Sequence, residues 1–194
     1  MRKISVFNSV SLDGYFCDAN AGMDFAHNPR PDPEWDAFVA GNASGGGMLL
    51  FGRITYEMMV SYWPTPLAAQ QMPVVAEGMN NRSKIVFSRT MEQALWKNTR
   101  LVKGDIIQEM QRMKNEPGED MTILGSGSIV SQFTSHGLIN EFQIVVVPVV
   151  LGKGRTLFEG ITGQVNLQLT HSRSFINGNV VLTYSPGIGR VNHF

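Results

Sequence analysis

From Ile4 to Val10 the chain alternates, with Ile4, Val6, Asn8 and Val10 set against Ser5, Phe7 and Ser9, and this period of two predicts a β-strand. It stops at Ser11-Leu-Asp-Gly-Tyr15, where Asp13-Gly14 signals a turn. Residues 16–31, with glycine, asparagine and prolines, read as a long loop. Asp32-Pro33-Glu34 reads as a helix start: Asp as N-cap, Pro at the first helical position, Glu in the positive first turn. Trp35, Phe38 and Val39 fall on one face of that helix.

Gly45-Gly-Gly47 breaks the chain before Met48-Leu-Leu-Phe51, an apolar run suited to a buried parallel strand. Gly52-Arg-Ile-Thr55 follows, then a helix over 56–62. Residues 63–83 read as a loop with one short helix, and 84–87 and 100–102 as strands. Asp105 is placed to cap a helix in which Ile106, Met110 and Met113 recur at helical spacing. Met121 to Leu124 forms a strand, Gly125-Ser-Gly-Ser128 a turn, and a helix begun near Ile129 ends at Gly137. The β-branched run through Ile144 to Leu151 is too long for a surface strand, with Pro148 at a bulge or near the strand's end. Residues 165–175 and 179–185 flank Asn177-Gly178, a hairpin signal. The sum is an α/β fold with a mostly parallel sheet and antiparallel strands at its C-terminal end. One domain is expected over 1–186, with 187–194 as a tail or an arm onto a partner.

Composition narrows the function classes. The chain has 194 residues, enough for one domain with a real core. Sixteen basic and sixteen acidic residues cancel, so no global field draws it to nucleic acid or anionic lipid. No apolar stretch reaches membrane-span length, and the N-terminus enters a strand-like run without a signal-peptide core. One cysteine, Cys17, and four scattered histidines give neither an internal disulfide nor a metal cluster. A cytoplasmic protein without metal is the expectation.

Three strand exits carry similar chemistry. Gly52-Arg53-Ile54-Thr55 sets a flexible turn, a cation and a hydroxyl at a helix start, and Ser88-Arg89 follows the next strand. Gly125-Ser126-Gly127-Ser128 supplies backbone donors after a third. Glycines let the backbone approach a ligand, and a helix N-terminus attracts an anion, most often phosphate. Guanidinium groups suit phosphate through paired N–H donors. Each turn alone also fits a plain surface bend. In open α/β sheets, ligands bind beyond the carboxyl ends of the strands, where the three could meet.

The set resembles the dihydrofolate reductase-like superfamily, and most of all free-standing relatives of the reductase domain in bacterial riboflavin-biosynthesis deaminase-reductases. The likeness covers roughly residues 1 to 186. It rests on Ser11-Leu-Asp-Gly14, Phe51-Gly-Arg-Ile-Thr-Tyr56, Val86-Phe-Ser-Arg-Thr90, Leu124-Gly-Ser-Gly-Ser-Ile129, Asn140-Glu141 and Pro148-Val-Val-Leu-Gly-Lys-Gly-Arg-Thr-Leu-Phe158. It implies a mixed sheet with flanking helices, NADPH as cofactor, and often a homodimer. Carried over residue by residue, it implies that Gly52, Arg53 and Thr55 contact the pyrophosphate and adenosine phosphate. Ser88 and Arg89 then read the 2′-phosphate. Gly125, Ser126, Gly127, Ser128 and Ile129 lie over the pyrophosphate and nicotinamide ribose. Val10 and Ser11 meet the nicotinamide amide through their backbone, and Gly14 lies in the loop over that ring. The chain departs from the deaminase-reductases in two ways. Leu124-Gly-Ser-Gly127 stands where they show Val-Glu-Gly-Gly, and the zinc-binding deaminase half is absent.

The chemistry expected is hydride transfer from NADPH to a C=N or C=O carbon of a small substrate, pteridine- or pyrimidine-like. Asp36, on or near the inner side of its helix, and Asp13 are the candidate acids or substrate anchors; a solvated helix carboxylate and a plain turn former are the alternatives for each. Trp35 and Phe38 could stack on a planar heterocycle or belong to the core, and Phe158 could line the same pocket. Two other readings stand beside the reductase: a catalytically silent dinucleotide- or ligand-binding protein, and a true dihydrofolate reductase.

Overall fold

The computed structural model describes residues 1–27 and 30–187. In chain order its strands are β1 (Ile4–Ser11), β2 (Tyr15–Asp18), β3 (Met48–Gly52), β4 (Lys84–Phe87), β5 (Thr99–Val102), β6 (Met121–Leu124), β7 (Glu141–Val147), β8 (Gly154–Thr156), β9 (Leu167–Ser174) and β10 (Val180–Pro186). Its α-helices are α1 (Pro33–Ser44), α2 (Arg53–Tyr62), α3 (Pro66–Gln71), α4 (Pro73–Asn81), α5 (Ile106–Asn115) and α6 (Gly127–Ser135). The fold is α/β with mostly parallel pairing and an antiparallel C-terminal hairpin, as the pattern predicts. The tail expected at 187–194 lies, from residue 188 on, outside the described residues.

Local chemistry sets the element ends. Asp32 caps α1 by accepting the Glu34 and Trp35 amides at 3.0 and 3.2 Å, and Asp105 caps α5 in the same way. Two stretches differ from expectation. The described residues of the stretch 16–31 include most of β2 and a 3-10 turn at Asp24–Ala26. Residues 63–83 hold two helices because Pro66 and Pro73 each open one; proline at a first helical position loses no intrahelical bond. α2 and α6 also begin earlier than read: α2 at Arg53, straight after β3, and α6 at Gly127, two residues after β6.

The chain divides into two compact units, Met1–Arg2 with Asp32–Ser126, and Lys3–Pro31 with the chain from Gly127 onward. In the first, the strand order is β5-β4-β3-β6 and every pair is parallel. Leu49, Leu50, Phe51, Ile85, Val86 and Ile123 are wholly buried, which explains why these strands read as unbroken apolar runs. Burial of each such side chain contributes about 1.5–3 kcal/mol. Phe51, Tyr56 and Trp96 form an aromatic triangle with centroids 6.1 to 6.5 Å apart, and the Trp96 amide donates to the Tyr56 hydroxyl at 2.9 Å.

The second unit orders β1-β7-β10-β9, with β1 and β7 parallel and the rest antiparallel; β2 pairs β8 as a separate ribbon. Asn140 fixes the start of β1: its Oδ1 accepts from the Ile4 amide at 3.0 Å, and its own N–H donates to the Ile4 carbonyl at 2.8 Å. Gly137, at φ +64°, ends α6, and Pro148 falls just past β7.

Lys84, at the start of β4, is a buried cation. Its Nζ donates to the carbonyls of Asn80 (3.1 Å), Arg82 (2.7 Å) and Lys97 (3.3 Å) and sits 4.5 Å from the centre of the Trp96 ring. It thereby satisfies carbonyls at the end of α4. Burial, and then the Lys97 and Arg82 charges, push its pKa down to about 8. The folded pKa lies below the unfolded one, so between the two values the unfolded chain binds more protons and stability rises with pH. Stability should therefore climb from about pH 8 towards the ordinary lysine value of 10.5. Urea unfolding of wild type and Lys84→Met across pH 7 to 10 checks this: the wild type should rise relative to the variant, and parallel curves would refute the assignment.

Candidate functional site

β4, β3 and β6 are neighbours running the same way, so Ser88, Gly52 and Gly125, which end or follow them, lie side by side at one edge of their sheet. The exits of β3 and β6 are clasped together. The Ser126 N–H donates to Thr55 Oγ1 at 3.0 Å, and Ser126 Oγ accepts from the Gly52 N–H at 2.8 Å. The same hydroxyl donates to the Leu124 carbonyl at 3.1 Å. Gly125 and Ser126 both adopt left-handed backbone, at φ +56° and +60°. Such a conformation costs a non-glycine residue about 1–2 kcal/mol, which the clasp offsets.

These bonds change the part played by three expected cofactor contacts. Gly52, Thr55 and Ser126 spend their polar groups on one another, and Thr55 and Ser126 are buried. The two glycines of the turn likewise have protein neighbours as their reason. A Cβ on Gly125 would stand 2.8 Å from Thr55 Cγ2, and one on Gly127 would stand 2.9 Å from the Phe16 ring.

What points outward at this edge is positive. Arg53 opens α2, is exposed, and donates to both carboxylate oxygens of Glu57 at 3.1 and 2.9 Å. Arg89 is exposed one residue past Ser88, whose Oγ accepts the Thr90 and Met91 amides at 3.2 and 3.0 Å. In the other unit, Gly127, Ser128 and Ile129 form the first turn of α6, where N–H groups have no acceptor within the helix. Ser128 is exposed and Ile129 buried.

In the other unit, Val10 is half-buried and Ser11 buried at the end of β1. Ser11 Oγ donates to Asp13 at 2.6 Å and accepts the Tyr15 amide at 3.0 Å; Gly14 turns the chain at φ +90°. Asp13 also accepts the Leu151 and Gly152 amides at 3.1 and 2.7 Å. The Ser11 hydroxyl above all, then those amides, hold its carboxyl below the ordinary range against the opposing effect of burial. An ionised carboxylate with three donors has no proton to give at neutral pH, and Asp13 works here as a loop anchor. Phe158 is exposed, its ring 5.9 Å from that of Phe142.

α1 carries the remaining candidates. The Trp35 and Phe38 rings lie 5.6 Å apart, tilted and half-buried. Asp36 is exposed in the first turn of its helix, not on the inner side as expected, because the inward positions go to Val39 and Ala43. Sequence reading missed Glu57 as the partner of Arg53, although its spacing of four from that residue signals the pair. It also missed the contact of Asp13 with Leu151 and Gly152, which no local pattern announces.

A cavity of about 650 Å³ lies elsewhere, along β5 and α5, where Arg100 and Arg112 already share Glu109 at 2.7 and 2.9 Å. Among the described residues no group of His, Cys, Asp or Glu could hold a metal ion, and no helix is long and apolar enough to cross a membrane.

The comparisons with known proteins agree with one another. The family model described as the RibD C-terminal domain matches residues 2–181. The uncharacterized protein YyaP of Bacillus subtilis (strain 168) is 27% identical over 183 residues, 94% of each chain. A Shewanella sp. PV-4 structure assigned to riboflavin biosynthesis superposes with a TM-score of 0.73 at 23% identity, covering 95% of this chain and 99% of that one. Dihydrofolate reductase from Enterococcus faecalis, solved with NADP(H), gives 0.58 at 14% identity over 95% and 96% of the two chains. The fold is thus dihydrofolate reductase-like.

The clasp has a direct test. Thr55→Val removes the acceptor of the buried Ser126 N–H and should destabilise the fold by about 1–3 kcal/mol in denaturant unfolding, while Thr55→Ser should lose much less. Equal stability of the valine variant and wild type would show that the bond carries no weight.

Proposed function

Because the chain belongs to the RibD C-terminal domain family, we propose that it is an NADPH-dependent reductase acting on a C=N or C=O carbon of a small pteridine- or pyrimidine-like substrate. The observation that carries this reading is the side-by-side placing of the β4, β3 and β6 exits, with Arg89 and Arg53 exposed at one sheet edge. Two guanidinium groups at one edge suit the phosphates of a dinucleotide.

In this reading Ser88 and Arg89 receive the 2′-phosphate and Arg53 the pyrophosphate. The N–H groups of Gly127, Ser128 and Ile129 complete the phosphate contacts. Val10 and Ser11 orient the nicotinamide amide through main-chain groups, with Gly14 in the loop above. NADPH, when bound, supplies the hydride. The chain's task is to hold donor and acceptor carbons together and exclude water. Trp35, Phe38 and Phe158 are the proposed apolar contacts to substrate. With Asp13 committed to its loop, the completing proton comes from water or from Asp36. The same reading includes a homodimer in the cytoplasm, as the resemblance implies.

The engagement of Asp13 also favours a second reading, binding without turnover. Single-turnover oxidation of bound NADPH with pteridine and pyrimidine acceptors separates the two: turnover supports the reductase, and binding without oxidation across the panel supports the second reading.

Two variants test the phosphate contacts by titration. Arg89→Ala should weaken NADPH by at least about tenfold, since a charge-assisted bond is lost, and leave NADH nearly unchanged. Equal weakening of both would remove Arg89 from the 2′-phosphate. Glu57→Gln releases Arg53 from an exposed ion pair and should tighten NADPH by up to about fivefold. Weaker NADPH binding in that variant would mean that Glu57 positions Arg53 for the phosphate and does not compete with it.

A further inference from the structure

Asn179 is a polar side chain that its surroundings leave unsatisfied. It follows the Asn177-Gly178 turn and is 0% exposed, and neither Oδ1 nor Nδ2 meets a hydrogen-bond partner among the described residues. Its backbone cannot move to relieve this. The Asn179 carbonyl accepts from the Phe175 N–H at 2.9 Å, and its N–H donates to Asn177 Oδ1 at 3.0 Å. Gly178, at φ +92°, donates to the Phe175 carbonyl at 3.0 Å.

Register locates the amide. Val180 stands opposite Val146, so Asn179 is one step further, at the level of Val147 where β7 leaves the sheet. Alternation puts it on the same face as the buried Val181 and Thr183. The hairpin already touches the turn there, since a Cβ on Gly178 would stand 3.0 Å from Pro148 Cγ. Further along, that turn is held by the Val149 carbonyl, which accepts from Leu12, and by Asp13, which accepts from Leu151 and Gly152. Pro148 itself has no N–H to offer.

A carboxamide has two donors and a two-lone-pair acceptor, and each group left bare in the interior costs about 1–3 kcal/mol. Native folds meet such a demand with internal water. We propose that Asn179 holds an internal water that braces the β9–β10 hairpin against the turn leaving β7. This site stands apart from the proposed reaction and would hold water whether or not the protein reduces anything.

Asn179→Leu decides between a hydrated and a bare amide because the two predict opposite signs. Loss of a water bridge should raise the unfolding equilibrium constant at least about tenfold. It should also speed amide exchange at Leu151 and Gly152 while leaving Leu50 and Ile85 unchanged. A variant as stable as wild type, or more stable, with unchanged exchange would overturn the proposal. A high-resolution crystal structure of the wild type provides a reading that needs no variant: ordered water within hydrogen-bond distance of Asn179 Oδ1 or Nδ2 supports the site, and a dry cavity there refutes it.

Discussion

The hydrogen bonds that Ser126 makes to Thr55 and Gly52 are the constraint on which the candidate site depends. Two strand exits that could each bend independently are joined by a donor and an acceptor on one residue. Ser126 is held in left-handed backbone, and the next residue in the chain is the first of α6. The Cβ that Gly125 lacks would press on Thr55, so the same threonine demands both the glycine and the serine.

Around this clasp the surface chemistry is local. Sixteen basic and sixteen acidic residues cancel across the chain, and attraction for an anion comes from where a few groups stand. Parallel pairing of β4, β3 and β6 places Arg89 and Arg53 at one edge. Glu57 pairs with one of the two, so the Arg53 cation is directed and partly neutralised. In the other unit the carboxylate of Asp13 does comparable work, tying the exit of β1 to the loop after β7.

Much of the fold was legible because its signals are short-range. Apolar runs at Met48–Phe51 and Lys84–Phe87, the Asp32 and Asp105 caps and the Asn177-Gly178 turn each say what they do within a few residues. Pro66 and Pro73 each open a helix where only one short helix was expected, because a proline can open a helix as well as end one. β2 was hidden because its partner, β8, lies more than a hundred residues away. At the candidate site, residue types singled out three turns but not the division of labour within them. Whether Thr55 faces a ligand or Ser126, or whether Gly127 makes room for a phosphate or for Phe16, depends on contacts between distant segments.

The central claim is that the exits of β3, β4 and β6 form one anion site for the adenosine end of a phosphorylated dinucleotide. Backbone ¹⁵N–¹H shifts recorded while adenosine 2′,5′-bisphosphate is added test it most directly. Arg53, Arg89 and Ser126 should shift together along one saturating curve, and plain adenosine should leave them in place. Shifts confined to the groove along β5 and α5, or no saturation at any accessible concentration, would contradict it.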